Sequence, residues 1–303
     1  MRHKEIGQID EGLWLFGTEE SCVYLLEGDD SSALISAGIS YIIPDILRQI
    51  ATWKRSQRKI RHIIILHSHF DHIGIVPYLK RIQPDLNIYA SERAWKILSN
   101  PKAASVMEDY TLKVCKRVRG NTDDLAAIDW QWRQDIFGDS LRQGSRIELG
   151  GRHIEFHESP GHSSCSLTAY VPELKALFPS DAVAIPYRDE YVIAAGSSFD
   201  EYKKSLDRLG CLDVEIIGAD HYGYITKSEA RQYIARSKEA AEQMISTLKA
   251  ALEQFGNIHE TALELVKNHY ERRPDYFVAP EILVSTYTQM LKQFLPLEDS
   301  TFI

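Results

Sequence analysis

The chain is poor in the features that mark several large classes of protein. Cysteine is scarce: Cys22, Cys115, Cys165 and Cys211 stand far apart and form no C-x-x-C pair. That spacing suits neither a disulfide-dense secreted scaffold nor a structural zinc site. No run approaches the roughly 20 apolar residues needed to span a bilayer. The start, Met1-Arg2-His3-Lys4-Glu5, lacks the apolar core of a signal peptide. A cytoplasmic, reduced and soluble protein with no membrane contact is expected. Basic excess is missing too. The formal net charge is −8, which leaves no footprint for nucleic acid, whose binding depends on neutralising phosphates. A local basic stretch, Lys54-Arg55 through Arg61-His62, reads as a solvated helix end before a strand. There is no G-x-S-x-G elbow for a serine nucleophile, no internal repeat and no low-complexity tract.

What is present is ordinary globular material with one exceptional cluster. Hydrophobic residues make up 44% of 303 and charged residues 26%, enough for a sizeable core. Short apolar runs at 13–16, 22–26 and 33–35, separated by turns, predict a strand meander, and 41–53 has helical spacing. Residues 61–66 read as a buried strand, 73–81 as a helix and 86–89 as another strand. Ser91 caps a mostly helical region reaching about Phe137, with a break near Gly120-Asn121. Strands return at 146–149, 154–157, 167–171, 176–178 and 214–218, with a helix over 200–209. Three amphipathic helices follow, over 228–255, 258–270 and 280–294. The expected fold class is therefore α+β or layered α/β, with a strand-rich core over 1–227, a helical insertion at about 91–140 and a helical extension over 228–303 that covers the site.

The cluster is His67-Ser68-His69-Phe70-Asp71-His72, directly after Ile63-Ile64-Ile65-Leu66. Burying that many ionisable groups beside an aliphatic strand is costly without a compensating metal. Three further segments also follow predicted strands: Pro160-Gly161-His162, Ser180-Asp181 and Asp220-His221. Loops at strand ends are where folds gather distant residues into a site. The candidate ligands are His67, His69, Asp71, His72, His162, Asp181 and His221. Seven are too many for one ion, but suit two divalent metals about 3.5–4 Å apart with a bridging carboxylate. Imidazole and carboxylate donors suit zinc or iron, with manganese as a third candidate. The remaining histidines, His3, His62, His153, His157, His259 and His269, are read as core or surface residues.

This ordered pattern, H-x-H-x-D-H, Pro-Gly-His, Ser-Asp and a late Asp-His, resembles the metallo-β-lactamase superfamily over roughly residues 10–225. The resemblance implies an αββα sandwich, with His67, His69 and His162 on one metal, Asp71, His72 and His221 on the other, and Asp181 between them. Two positions depart from the family pattern. Ser36-Ala37-Gly38 stands where relatives carry an Asp-Thr-Gly-like turn, whose aspartate supports the site. Cys165 stands where relatives carry glycine and reads as a small buried side chain.

Two cations lower the pKa of a held water from about 15.7 towards 7, so that hydroxide can attack an ester or thioester carbonyl. Asp71 would orient that water or relay its proton, as the catalytic residue. The tail resembles glyoxalase II-like thioesterases and, more closely, the thioesterases of the quinolone signal response. The likeness to the latter lies in Ser36–Ser40, the 67–74 loop, Pro77-Tyr78-Leu79, Ala90–Arg93 and the end Phe294-Leu295-Pro296-Leu297. A small-molecule acyl substrate is implied. Lactonase and small-phosphodiesterase chemistry are the neighbouring alternatives. Lactonases of this fold hold the carbonyl with a tyrosine near the bridging aspartate, and Tyr187 and Tyr191 follow Asp181. Diiron redox chemistry is a further alternative, although those relatives carry glutamate where this chain has His69 and add a flavodoxin domain. A reading of another class is a regulatory protein acting through a partner, and the long tail helix would permit a homodimer.

Overall fold

The computed structural model describes residues 1–53 and 59–295. Two seven-stranded sheets pack face to face. The first runs Gly7–Asp10, Leu13–Gly17, Cys22–Glu27, Ser32–Ile35, Ile60–Ile64, Asn87–Ser91 and Asp139–Leu141; the meander is antiparallel and the last three pairings are parallel. The second runs Arg2–His3, Tyr224–Thr226, Ile216–Gly218, Ala176–Phe178, Leu167–Val171, His153–Glu158 and Arg146–Glu148. A separate hairpin pairs Ile185–Tyr187 with Glu190–Val192.

The period of two along each strand explains the layering. Cys22, Tyr24 and Leu26 pack with Phe156, Leu167, Ala169 and Phe178 between the sheets. Val23 and Leu25, one residue out of phase, pack on the helical side with Ile42, Ile46 and Ile65. Ala33 and Ile35 against Leu34, and Ile64 and Leu66 against Ile63 and Ile65, divide the same way. Both faces are covered, so these strands are continuous apolar runs in the sequence.

The predicted strands of both sheets form, and several unforeseen ones join them at the edges. The region expected to be helical up to Phe137 is helical over Glu92–Leu98, Pro101–Arg119 and Asp123–Ala126, and irregular from there to the edge strand Asp139–Leu141. Trp132 and Ile136 are buried there, and a Cβ on Gly138 would lie 1.9 Å from the Ile88 carbonyl oxygen. The segment is thus laid against the sheet rather than coiled. The predicted 73–81 helix begins at Val76. Helices Lys227–Phe255, Ile258–Arg272 and Pro280–Lys292 form the tail. Gly256 ends the first in a left-handed turn and Asn257 caps the second. Most of the basic stretch at 54–58, and the tail from Pro296 onward, lie outside the described residues. Among the described residues, no helix is long and apolar enough to cross a membrane.

Backbone ties join the two sheets at the end where the site forms. Leu167 N donates to Leu66 O at 2.7 Å, Cys22 N donates to Asp220 O at 2.8 Å, and the Tyr24 hydroxyl donates to Ala219 O at 2.6 Å.

Candidate metal centre

Each candidate ligand leaves the sandwich at that tied end. Strand Ile60–Ile64 runs into the 67–72 loop, and His153–Glu158 leads to His162. Ala176–Phe178 leads to Asp181, and Ile216–Gly218 leads to His221. The Pro160-Gly161-His162 turn needs its glycine. Gly161 has φ +136, and a Cβ there would sit 2.3 Å from the Tyr202 backbone.

The seven predicted ligands converge. His67 Nε2, His69 Nδ1 and His162 Nε2 lie 2.9–3.2 Å from one another. Three imidazole nitrogens on a tetrahedral zinc at ~2.0–2.1 Å would be roughly 3.3 Å apart, so the spacing fits one cation between them. Beside them, His72 Nε2 is 3.6 Å from Asp71 and 3.2 Å from Asp181. His221 Nε2 is 3.7 Å from Asp71 and 3.6 Å from Asp181. Asp181 also reaches within 3.5 Å of His162, and so stands between the two groups.

The opposite ring nitrogens settle which atoms face inward. His162 Nδ1 donates to Ala194 O at 2.5 Å, and His221 Nδ1 donates to Glu20 O at 2.7 Å. A carbonyl only accepts, so both rings carry hydrogen on Nδ1 and present a bare Nε2. His72 Nδ1 is fixed likewise by Asp220 Oδ2 at 2.8 Å, and His67 Nδ1 contacts Ser180 Oγ at 3.1 Å. His72 Nε2 and His221 Nε2 are buried and have no hydrogen-bond partner. The short approaches of His72 to Asp181 lack hydrogen-bond alignment. Orphaned, inward-aimed nitrogens beside carboxylates are the donor set a divalent cation would satisfy.

The electrostatics divide the cluster. Burial lowers His67, assisted by repulsion from His72, His69 and His162, and burial beside His162 lowers His69 to about 3. Burial also lowers His162, against the pull of Asp181. At His72, burial is outweighed by Asp71 and Asp181, and its pKa is raised; His221 is raised against burial chiefly by Asp181. Asp181 is held well below the usual carboxylate range despite burial, by His72, His221 and His162.

Asp220 is the residue that sequence reasoning missed. Its Oδ2 accepts from Ser36 Oγ at 2.9 Å and from Ser180 Oγ, besides orienting His72. Ser36 and Ser180 both hold left-handed backbone conformations, φ 67 and 51, a strain of the sort found where structure holds a site. Support lost with the aspartate of an Asp-Thr-Gly turn therefore comes from the residue before His221. Its position beside a ligand, in Asp220-His221, was the available signal. Cys165 is buried, with Sγ 3.3 Å from Ser68 Oγ and from Ser163 Oγ.

Above the ligands is a cleft of about 260 Å³. His69, Asp71, His162, Asp181 and His221 form its floor. Its walls are mainly apolar: Phe70 and Val106, Ile185, and Phe277, Val278, Ile282 and Leu283 from the tail. Phe277 lies 4.6 Å from the His221 ring. A wider groove, about 780 Å³, beside Arg93 and Arg142 contains none of the ligands. Tyr187 and Tyr191 do not join the cleft lining, which corrects the carbonyl-holding role expected of them. The Tyr187 hydroxyl donates to Asp275, whose side chain is 64% exposed. Tyr191 packs on Tyr233, with Arg2 stacked over it at 4.8 Å. The tyrosines that do line the cleft are Tyr110 and Tyr276. Of the other histidines, His3 contacts Thr226, His62 contacts Tyr89, His153 pairs with Glu173 and His269 is buried in the tail.

Comparisons with known proteins agree with this geometry. A metallo-beta-lactamase fold-containing protein of Sulfurisphaera tokodaii is 24% identical over 229 residues, 73% of this chain and 80% of its own. A nitric oxide reductase of Moorella thermoacetica is 24% identical over 62% of this chain, which spans 42% of that longer protein. Among solved structures, a metallo-beta-lactamase family protein of Thermus thermophilus superposes with a TM-score of 0.64 at 18% identity, covering 94% of this chain and 95% of its own. A Cronobacter sakazakii metallo-beta-lactamase reaches 0.56 at 22% identity, covering 78% and 93%. The model of the metallo-beta-lactamase superfamily matches residues 17–221, and the chain belongs to that superfamily.

Proposed function

We propose that this protein is a dinuclear metal-dependent hydrolase of small esters or thioesters with an apolar acyl group. The observation that carries the reading is the cleft itself. A floor of convergent imidazoles and carboxylates, in which the Nε2 atoms of His72 and His221 have no hydrogen-bond partner, lies beneath walls of aliphatic and aromatic side chains. His67, His69 and His162 would hold one ion, Asp71, His72 and His221 the other, with Asp181 shared. Bound there, divalent cations would supply a water of lowered pKa and polarise a carbonyl.

The chain's own residues do the rest. Asp71, at the cleft floor and little exposed, is placed to orient water and accept its proton. Phe277, Ile282 and Leu283 exclude bulk solvent and take up apolar substrate surface. The volume, about 260 Å³, lies just below the ~300–1,000 Å³ range of ligand sites, which favours a compact acyl group. The imidazole of His69 completes an all-nitrogen triad with His67 and His162, which favours hydrolysis over the redox chemistry named for the Moorella relative. Thioesterase chemistry is the specific form proposed, with zinc or iron as the metal.

The test is elemental analysis followed by a panel of acyl-coenzyme A and glutathione thioesters, homoserine lactones and phosphodiesters. Two ions per chain and turnover of thioesters are expected. Turnover of phosphodiesters alone, or less than one ion per chain after reconstitution, would sink the proposal.

A further inference from the structure

We infer that Tyr276 is a catalytic hydrogen-bond donor, its hydroxyl aimed at the substrate oxygen that gains negative charge during acyl transfer. The inference rests on the hydrolytic reading and adds a residue to it that neither the ligand pattern nor its spacing indicates.

Tyr276 is 2% exposed, yet lines the cleft with Asp71, Asp181 and His221. Among the described residues, its hydroxyl has no protein hydrogen-bond partner, and it is not among the polar atoms sealed from solvent. The hydroxyls of Tyr202 and Tyr222 are also unpartnered but are sealed from solvent, whereas that of Tyr276 is open to a ligand. Tyr276 also borders a second cavity of about 470 Å³ beside Tyr187 and Asp275, and of the two only the cleft contains the ligand set. Among the other polar groups of the lining, Thr286 Oγ1 already donates to Ile282 O at 3.1 Å, while Tyr110, Ser285 and Gln289 lie on the walls. Its neighbour in sequence, Phe277, lies 4.6 Å from the His221 ring, which sets Tyr276 beside the ligand floor.

Its position is also rigid. The ring is packed by His269 at 4.7 Å, Phe277 at 5.4 Å, Tyr187 at 5.5 Å and Tyr222 at 6.1 Å. Its carbonyl accepts from Arg117 Nε at 2.8 Å, and its N–H donates to Arg273 O at 3.1 Å. Arg117 belongs to helix Pro101–Arg119, so this clamp joins the insertion to the tail around one side chain. A donor held by its surroundings costs no reorganisation when charge develops, which is how an oxyanion site works. The phenol keeps its proton throughout: it donates a hydrogen bond and transfers nothing.

The test is Tyr276→Phe, which removes the hydroxyl and keeps the ring. The probe is n-butylphosphonate, whose tetrahedral oxygens resemble the charged centre, titrated calorimetrically into metal-loaded protein of verified metal content. Loss of a hydrogen bond to a charged oxygen should weaken binding about 10- to 100-fold. Thioester kcat should fall about 100-fold with a smaller change in KM. Tyr191→Phe, outside the cleft, should change binding less than about threefold. A wild-type sample labelled at tyrosine Cζ gives a reading independent of how the variant folds, since phosphonate should shift the Tyr276 resonance. Equal phosphonate affinity in Tyr276→Phe and wild type, or no resonance shift, would overturn the inference. A phosphonate difference without any thioester turnover by wild type would uphold the donor and remove the thioesterase reading instead.

Discussion

The floor and the roof of the cleft both bury histidine, and they do so in opposite company. On the floor, four ring nitrogens are committed to a carbonyl, a carboxylate or a serine hydroxyl, and their partners converge beside Asp71 and Asp181. In the roof, His269 is 2% exposed among the rings of Tyr270, Tyr276 and Tyr287, with Arg273 nearby. Its Nε2 is as orphaned as those of His72 and His221. A buried imidazole therefore does not by itself signal a ligand. Convergence with other donors does, and the carboxylates of the floor reverse the effect that burial has on His72 and His221.

The largest effects should come from breaking that convergence. Asp181 stands against three imidazoles, and Asp181→Ala leaves them without their shared counter-charge. Removing one partner of a buried ionic set costs about 3–5 kcal/mol, so the metal-free variant should unfold at clearly lower urea concentration. Its metal content should drop below one ion per chain, with turnover lost. Two ions retained, by elemental analysis, would remove Asp181 from between the metals. Asp220→Asn should act next most strongly, because it leaves the ligands in place and disturbs only their orientation. Outer partners of ligating histidines are worth about 10- to 100-fold in metal affinity. Chelator competition should show that loss on one ion, the one held by His72, and little on the other. Equal weakening of both would show that Asp220 supports the whole end of the sandwich instead.

The same comparison explains what could be read in advance. The floor was legible because ligand chemistry admits few residue types, and each ligand segment follows a strand that a short apolar or alternating run reveals. The inner and outer halves of the sandwich were legible as apolar runs for the related reason that both faces are covered. The roof was not. Ile282, Leu283 and Phe277 are interchangeable with many apolar residues as far as sequence is concerned, and only packing brings them above His221. Asp220 escaped notice because it reads as one more acidic loop residue until its oxygen meets Ser36, Ser180 and His72. The irregular 127–138 stretch failed for a third reason. Its apolar spacing is compatible with a helix, whereas sheet contact at Gly138 demands an extended path.

The roof histidine gives a pH test of its own, read as the difference between wild type and variant, because His69 on the floor is lowered into the same range. Burial, with Arg273, Arg272 and Arg117 nearby, lowers His269 to about 3. The unfolded chain, with an ordinary histidine near 6.5, therefore binds more protons between those two values. Stability from this group is complete above about pH 6.5 and is lost progressively as pH falls towards 3. At pH 5 the loss should reach about 2 kcal/mol, from roughly 1.4 kcal/mol per pH unit. Urea unfolding of His269→Gln should be less stable at pH 7.5 but should lack that share of the acid sensitivity. An unchanged slope between pH 7.5 and pH 5 would mean that other groups carry it.

The smallest effect expected is the one that fixes the boundary of the roof. Tyr187 stacks against Tyr276 but sends its hydroxyl outward to Asp275, so Tyr187→Phe removes a hydrogen bond to a solvated carboxylate. Such a bond is worth at most about 1 kcal/mol. Turnover of a thioester should stay within about twofold of wild type, with KM unchanged, because the ring that supports Tyr276 remains. Tyr191→Phe should do still less, since it packs on Tyr233 under Arg2. The contrast with Tyr276→Phe is what matters: adjacent rings, one hydroxyl removed from each, and effects differing by more than tenfold. If Tyr187→Phe lost turnover while its unfolding stayed the same, its hydroxyl would have to leave Asp275 and reach the substrate. The cleft would then extend behind Tyr276, and the roof would be a movable part of the site instead of a fixed wall.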